Sequence, residues 1–130
     1  MGNGKLDANI ERLAHKVIGC AIEVHRELGP GFLESVYEEA LCIELASNNI
    51  PFKRQFETGI KYKSQIVGKG GIDILVADKI VVELKTVERF EPIHMAQIIS
   101  YLKTTQCQLG LLMNYNVTIL KHGIKRLILT

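Results

Sequence analysis

The order of hydrophobic periodicities in this chain predicts a mixed α/β sandwich, a central β-sheet with α-helices packed on it. Three observations carry that reading. Two N-terminal segments place apolar residues at helical spacing, a β-branched run follows from Phe52 to Lys85, and a third helical segment separates this run from the stretch Leu109–Met113. That last stretch is apolar without alternation, as a strand covered by helices should be.

From about Asp7 to Leu28 the apolar stripe is Ile10, Leu13, Ala14, Val17, Ile18, Ala21, Val24 and Leu28, with Arg12, Lys16, Glu23 and Glu27 on the solvated side. Gly29 supplies the stop and Pro30 lies just past it. His25 stands at the edge of the stripe near the helix C-terminus, where a cation is favoured. A second helix is expected to open at Gly31 and run to about Asn48, with Leu33, Val36, Tyr37, Ala40, Leu41 and Leu45 on one side. Glu34 lies in its first turn, where the helix dipole alone favours an acid.

Asn48-Asn49-Ile50-Pro51 reads as a turn. Phe52 to Tyr62 alternates loosely, with Phe52, Arg54 and Phe56 on one face, as an edge strand would. Lys63-Ser64-Gln65 forms the next turn, and Gly68, Gly70 and Gly71 allow a bend or bulge before Asp73. After Glu91, Pro92 suits the first turn of a third helix. Ile98 and Leu102, with Met95 or Ile99, make its buried side, while His94, Gln97 and Tyr101 share a polar but uncharged face. Val117–Leu120 and Ile124–Leu129 read as two last short strands.

The chain of 130 residues is expected to form one domain over residues 1–130, burying roughly two-thirds of its unfolded surface. A formal charge of +2 neither demands nor excludes nucleic acid. No run approaches the ~18 apolar residues of a membrane span. Met1–Asp7 lacks the apolar stretch of a signal peptide, and Leu6 stands where a myristoylation signal has Ser or Thr. Cys20, Cys42 and Cys107 are odd in number and lie in apolar contexts, as in a reducing compartment. Together these point to the cytoplasm and to no membrane partner.

The segment from Gly71 to Lys85 holds three charges that apolar strands should not carry. Glu83 and Lys85 point to one face of their strand. Asp73 lies on the preceding strand and comes opposite Glu83 only if the turn centres on Asp78, through an odd-numbered connection or a bulge; a two-residue turn of Asp78 and Lys79 would set it against Leu84 and on the wrong face. A carboxylate pair joined by Glu34 would repel itself unless a cation neutralised it. Mg²⁺ is the natural cation, with Asp73, Glu83 and the Leu84 carbonyl as ligands and Glu34 completing or orienting the shell. Lys85 would position a water or stabilise charge on a phosphorane-like transition state. The bland alternative is a cross-strand salt-bridge cluster worth about 0–1 kcal/mol.

Asp73, then nine residues, then Glu83-Leu84-Lys85 resembles the D…(D/E)xK motif of the PD-(D/E)XK nuclease superfamily. Gln97–Tyr101 resembles the QxxxY motif of its RecB-like members. Val24–Tyr37 resembles the signature of the GxxExxY protein family at Gly31, Glu34 and Tyr37. Gly71-Ile72 departs from the Pro, polar or aromatic residues often found before the first acid. The resemblance implies a restriction-endonuclease-like α/β core, a mixed central β-sheet flanked by α-helices. It also implies metal ligation by Asp73 and Glu83 with Mg²⁺ or Mn²⁺, Lys85 as catalytic lysine, and Glu34 as helix-borne acid. Gln97 and Tyr101 would then support the site, with His94 on the same face. The expectation is a metal-dependent nuclease acting on DNA or RNA; the alternative is a non-cleaving nucleic-acid- or partner-binding module of the same fold. A purely structural, oligomer-forming protein is the third reading. A homodimer would add contact area to so small a nuclease.

Overall fold

The carboxylate of Asp7 accepts the Asn9 N–H at 2.6 Å, satisfying a donor that no helical carbonyl reaches, and so starts the first helix. The computed structural model describes residues 6–129; Met1–Lys5, part of the N-terminal stretch read for leader and lipid signals, and Thr130 lie outside the described residues. α1 (Ala8–Leu28) ends at Gly29, whose φ of 70° is easy only for glycine. α2 spans Glu34–Ser47. β1 (Phe52–Tyr62), β2 (Gln65–Val76) and β3 (Ile80–Lys85) form an antiparallel meander. α3 (Pro92–Thr105) then crosses to β4 (Leu109–Asn114), which pairs parallel to β3. A short 3₁₀ turn (Leu120–Gly123) leads into β5 (Ile124–Ile128), antiparallel to β4. The sheet order is β1-β2-β3-β4-β5, mixed as expected.

Two apolar layers sandwich the sheet. α1 and α2 pack on one face, against Ile74, Val82, Leu84, Leu111 and Met113. α3 packs on the other, placing Ile98 and Leu102 against Leu75, Val81 and Leu112. The continuous apolarity of β4 has the cause inferred for it: all six of its residues are buried. His25 is a packed histidine at a helix C-terminus, its Nε2 2.8 Å from the Val117 carbonyl oxygen. All three cysteines are buried and unpaired. Among the described residues no helix is long and apolar enough to cross a membrane.

Three expectations are corrected. The second helix starts at Glu34 rather than Gly31, because Gly31 has φ 111°, a conformation no helix contains. Leu33 and Val36 are accordingly exposed, and Tyr37, Glu38, Leu41, Cys42 and Leu45 make the buried side. Tyr37 fixes the connection instead: its hydroxyl donates to the Gly29 carbonyl at 2.5 Å and accepts the Phe32 N–H at 3.2 Å. Val117–Leu120 forms no strand, since Leu120 opens the 3₁₀ turn and β4 has its antiparallel neighbour in β5.

Gly110 of β4 sets how closely α3 can approach. A Cβ there would lie 2.5 Å from Cγ2 of the fully buried Ile98. Gly110→Val should therefore cost about 1–3 kcal/mol through overpacking. Urea unfolding should show a lower midpoint with an unchanged slope; an unchanged midpoint would mean that α3 is not seated on β4.

Candidate active site

The β2–β3 connection contains Ala77, Asp78 and Lys79, with Ala77 and Asp78 at φ 51° and 55°. Three residues give the required parity. The pairs Ile74–Val82, Leu75–Val81 and Val76–Ile80 centre on Asp78, so Asp73 approaches Glu83. Regular pairing stops at Ile74–Val82, and carboxylates replace the ladder beyond it. The Asp73 N–H donates to Oε2 of Glu83 at 2.8 Å, and the Leu84 N–H donates to Oδ2 of Asp73 at 2.9 Å. Each acid is thus held by the backbone of the opposite strand. The Lys85 carbonyl accepts the Tyr115 N–H at 2.9 Å and so faces β4. The polar backbone groups of Leu84, one residue earlier, face β2 and the acid pair.

The two acids sit in a poorly solvated place, Glu83 being 3% exposed. Burial first, then the charge of Asp73, pushes the Glu83 carboxyl up to about 8, against the pull of the Asp73 N–H and the Lys85 ammonium. Asp73 is raised too, by burial first and then by Glu38, while the Leu84 N–H, Gln55 and Lys85 act the other way. Lys85 is half-buried and shares the Glu83 face of β3 by alternation.

Asp73 lies where the strands reverse their faces. Arg54 and its partner Ile74 turn toward α2, whereas Phe56 and its partner Ile72 pack on the α3 side. Residues two apart in a regular strand share a face, so the expected common face of Phe52, Arg54 and Phe56 is broken at Gln55. Gln55 has φ 51°, a left-handed conformation that costs a non-glycine residue on the order of 1 kcal/mol. Its amide donates to Oε1 of Glu38 at 2.8 Å and lies 3.4 Å from Oδ1 of Asp73. Glu38 also accepts Nε of Arg54 at 2.6 Å, and Arg54 reaches Glu39 at the same distance.

Glu34 is brought to the same end of the sheet but not onto the acid pair. It is exposed, and its Oε2 accepts the Thr86 N–H at 3.2 Å, just past Lys85. Among the described residues no three His, Cys, Asp or Glu side chains are grouped so as to hold a metal, so the expected convergence of Glu34, Asp73 and Glu83 is not met. Glu38, one helical turn later, is the acid whose charge acts on both Asp73 and Glu83. From α3, Gln97 donates to the Tyr101 hydroxyl at 3.3 Å. The pKa of that hydroxyl is raised by burial and next by Glu83. A Cβ on Gly70 would lie 3.1 Å from the Tyr101 ring, so this close approach uses the glycine. His94 serves the start of its own helix, since its Nδ1 accepts the Glu91 N–H at 2.9 Å and completes the capping box of α3.

Glu38, Gln55 and Asn114 are the site residues that sequence reasoning missed. Glu38 had a signal, an acid four residues after Glu34 inside the stripe Tyr37, Leu41, Cys42, Leu45. The buried Asn114 clamps the segment after Lys85, accepting the Val87 N–H at 3.1 Å and donating to its carbonyl at 2.8 Å.

The donor set fits a hard divalent cation. Two adjacent carboxylates, one of them pushed up to about 8, lack a full neutralising charge, and Mg²⁺ needs only one or two carboxylates besides water. The backbone bonds use Oε2 of Glu83 and Oδ2 of Asp73, which leaves Oε1 of Glu83 and, beside the long 3.4 Å contact from Gln55, Oδ1 of Asp73 to face it.

A mixed sheet between helices, with an acid pair and a lysine at a splayed strand end, defines a nuclease-like α/β domain. The chain belongs to the PD-(D/E)XK nuclease superfamily, whose family model matches residues 11–127. No curated protein matches it. Membership implies a nucleic-acid substrate, and members of the superfamily generally use divalent metals.

The raised Glu83 pKa carries a sign. The folded protein holds a proton that an unfolded Glu, at 4.5, has released, so stability falls as pH rises from about 4.5 to about 8 and then levels. The fall should be on the order of a few kcal/mol. Glu83→Gln should remove most of it in EDTA, as read by urea unfolding from about pH 5 to 9. Parallel curves for the two proteins would refute the burial and pairing described.

Proposed function

We propose that the protein is a Mg²⁺-dependent (or Mn²⁺-dependent) nuclease that hydrolyses phosphodiester bonds of DNA in the cytoplasm. The observation that carries this is the reciprocal hold of Asp73 and Glu83 on each other's strands, with Lys85 on the same face as Glu83. The three unpaired, buried cysteines support the reducing location.

In this reading Asp73, Glu83 and the Leu84 carbonyl hold the ion. Bound there, it would supply a Lewis acid for a phosphate oxygen and a water of lowered pKa. The Lys85 ammonium orients the attacking water and stabilises negative charge growing on the phosphoryl oxygens as the water oxygen bonds to phosphorus and the ester oxygen leaves. Glu34 is the helix-borne acid of a GxxExxY signature, placed past Lys85 by its bond to Thr86. From there it would act on the ion's shell through water. Gln55 and Glu38 aim the Asp73 carboxylate. Gln97 and Tyr101 would act as the QxxxY pair on the substrate side of Glu83, which their mutual hydrogen bond and the approach of Tyr101 to Gly70 support.

Glu83→Ala and Lys85→Ala should each lower cleavage of a DNA duplex with Mg²⁺ or Mn²⁺ by about 10²- to 10³-fold, with circular dichroism unchanged. Cleavage at the parent rate by both variants would dismiss the site. Binding of metal and DNA by the parent chain without any cleavage would favour the non-cleaving module of the same fold.

A further inference from the structure

The β1–β2 hairpin carries apolar surface that the body of the protein does not cover. Ile60, Tyr62, Ile66 and Val67 are between 48% and 65% exposed. Ile66 lies over Gly59 and lines a cavity with Thr104 and Thr105 of α3, and Ile60 approaches Gly68. Lys63 and Ser64, both with positive φ, make the tight two-residue turn that fits the natural strand twist. Tyr62 opposes Gln65 and Lys61 opposes Ile66, so opposed pairs put apolar groups on both faces of the ribbon. From Gly59 to Lys69 the arm holds three lysines, Lys61, Lys63 and Lys69, and no acid; at its base Lys69 lies 3.8 Å from the exposed Glu57 carboxylate. Lys63 lies 5.4 Å from the Tyr62 ring centroid. An exposed edge of this kind invites a partner, and its charge selects a polyanion over a second copy of the same positive arm.

We propose that this arm is a duplex-binding ribbon that enters the major groove of DNA, its lysines on flanking phosphates and its apolar groups against base edges. The inference rests on the nucleic-acid reading of the site. A two-stranded ribbon fits the major groove of B-form DNA, whereas the A-form major groove is too narrow to admit one. The same strand, β2, carries both the arm and Asp73. Nine residue steps separate Ser64 from Asp73, about 30 Å at roughly 3.3 Å per residue. One turn of duplex is about 34 Å, so arm and acid pair lie on one side of a straight duplex nearly a turn apart.

Binding in EDTA separates this proposal from cleavage. Fluorescence anisotropy with a labelled DNA duplex of about two helical turns is measured across NaCl concentrations. The charge variant Lys61→Gln/Lys63→Gln/Lys69→Gln should weaken binding at least tenfold and reduce the slope of log Kd against log[NaCl] by about 2–3, since each lost phosphate contact removes about 0.9. Tyr62→Ser/Ile66→Thr should weaken binding while leaving the slope unchanged. Parent-like affinity and slope for the charge variant would overturn the proposal. So would an equal arm-dependent loss on a single strand of the same length. Sedimentation showing that Tyr62→Ser/Ile66→Thr turns a dimer into a monomer with unchanged DNA affinity would overturn it in favour of self-association. A chain that binds the duplex through the arm yet cuts nothing leaves the inference standing and removes only the nuclease reading.

Discussion

Everything at this site depends on one exchange: where β2 and β3 part, side-chain carboxylates take the hydrogen bonds that the ladder would have used. A strand end that splays would otherwise leave buried backbone N–H groups without partners, at a cost of about 1–3 kcal/mol each. Here the Asp73 N–H is satisfied by Glu83, and the Leu84 N–H by Asp73. The acids therefore cannot rotate away without exposing backbone donors. The same bonds that close the sheet also fix two carboxylates side by side, and burial keeps their repulsion strong.

The neighbouring elements are arranged around that splay. Gln55 accepts a left-handed conformation in mid-strand, and its amide spans Glu38 of α2 and Asp73 of β2. Backbone strain of this kind persists only where surrounding contacts over-determine it. Arg54 supplies part of that fixation by neutralising Glu38 and Glu39 together. On the opposite side Tyr101 fits against Gly70 because that residue carries no side chain. Further along, Asn114 pins the segment after Lys85 to β4. α2 is held in turn by Tyr37, whose hydroxyl anchors the preceding loop while its ring stacks on Tyr115 at 4.4 Å.

What could be read from the residues follows the range of the forces involved. Local periodicity located all three helices and the strands through β4, whereas strand parity only stated the condition for Asp73 to meet Glu83, which the three-residue connection Ala77–Lys79 meets. The start of α2 was misread because helical spacing continues through Leu33, while the φ of Gly31 is fixed by the hydroxyl of Tyr37 reaching back to the loop. The face reversal at Gln55 was invisible for a similar reason. It depends on a bond to a helix 17 residues earlier, which strand alternation cannot encode. Val117–Leu120 has strand-like composition, but β4 had already been paired on both sides. Glu34 and Glu38 show the limit most clearly, since spacing alone marks both as facing the sheet and only the depth of the helix decides which meets the acid pair.

That depth explains why the more buried acid is the one carrying a permanent partner. Glu38 is 8% exposed and would be costly as a lone charge, so its pairing with Arg54 and Gln55 is a condition of folding. Glu34 is solvated and bears no such cost, which leaves its second oxygen open to water. Asp73 and Glu83 lie between these cases. They are desolvated like Glu38, but the groups that favour their charged forms are a half-buried lysine, backbone N–H groups and, for Asp73, the Gln55 amide. A partly compensated acid pair is the least stable arrangement of the three, and it is also the one that gains most from a divalent cation. On the proposed reading, the instability of the isolated site and the gain from a bound cation would be two expressions of the same desolvated charge.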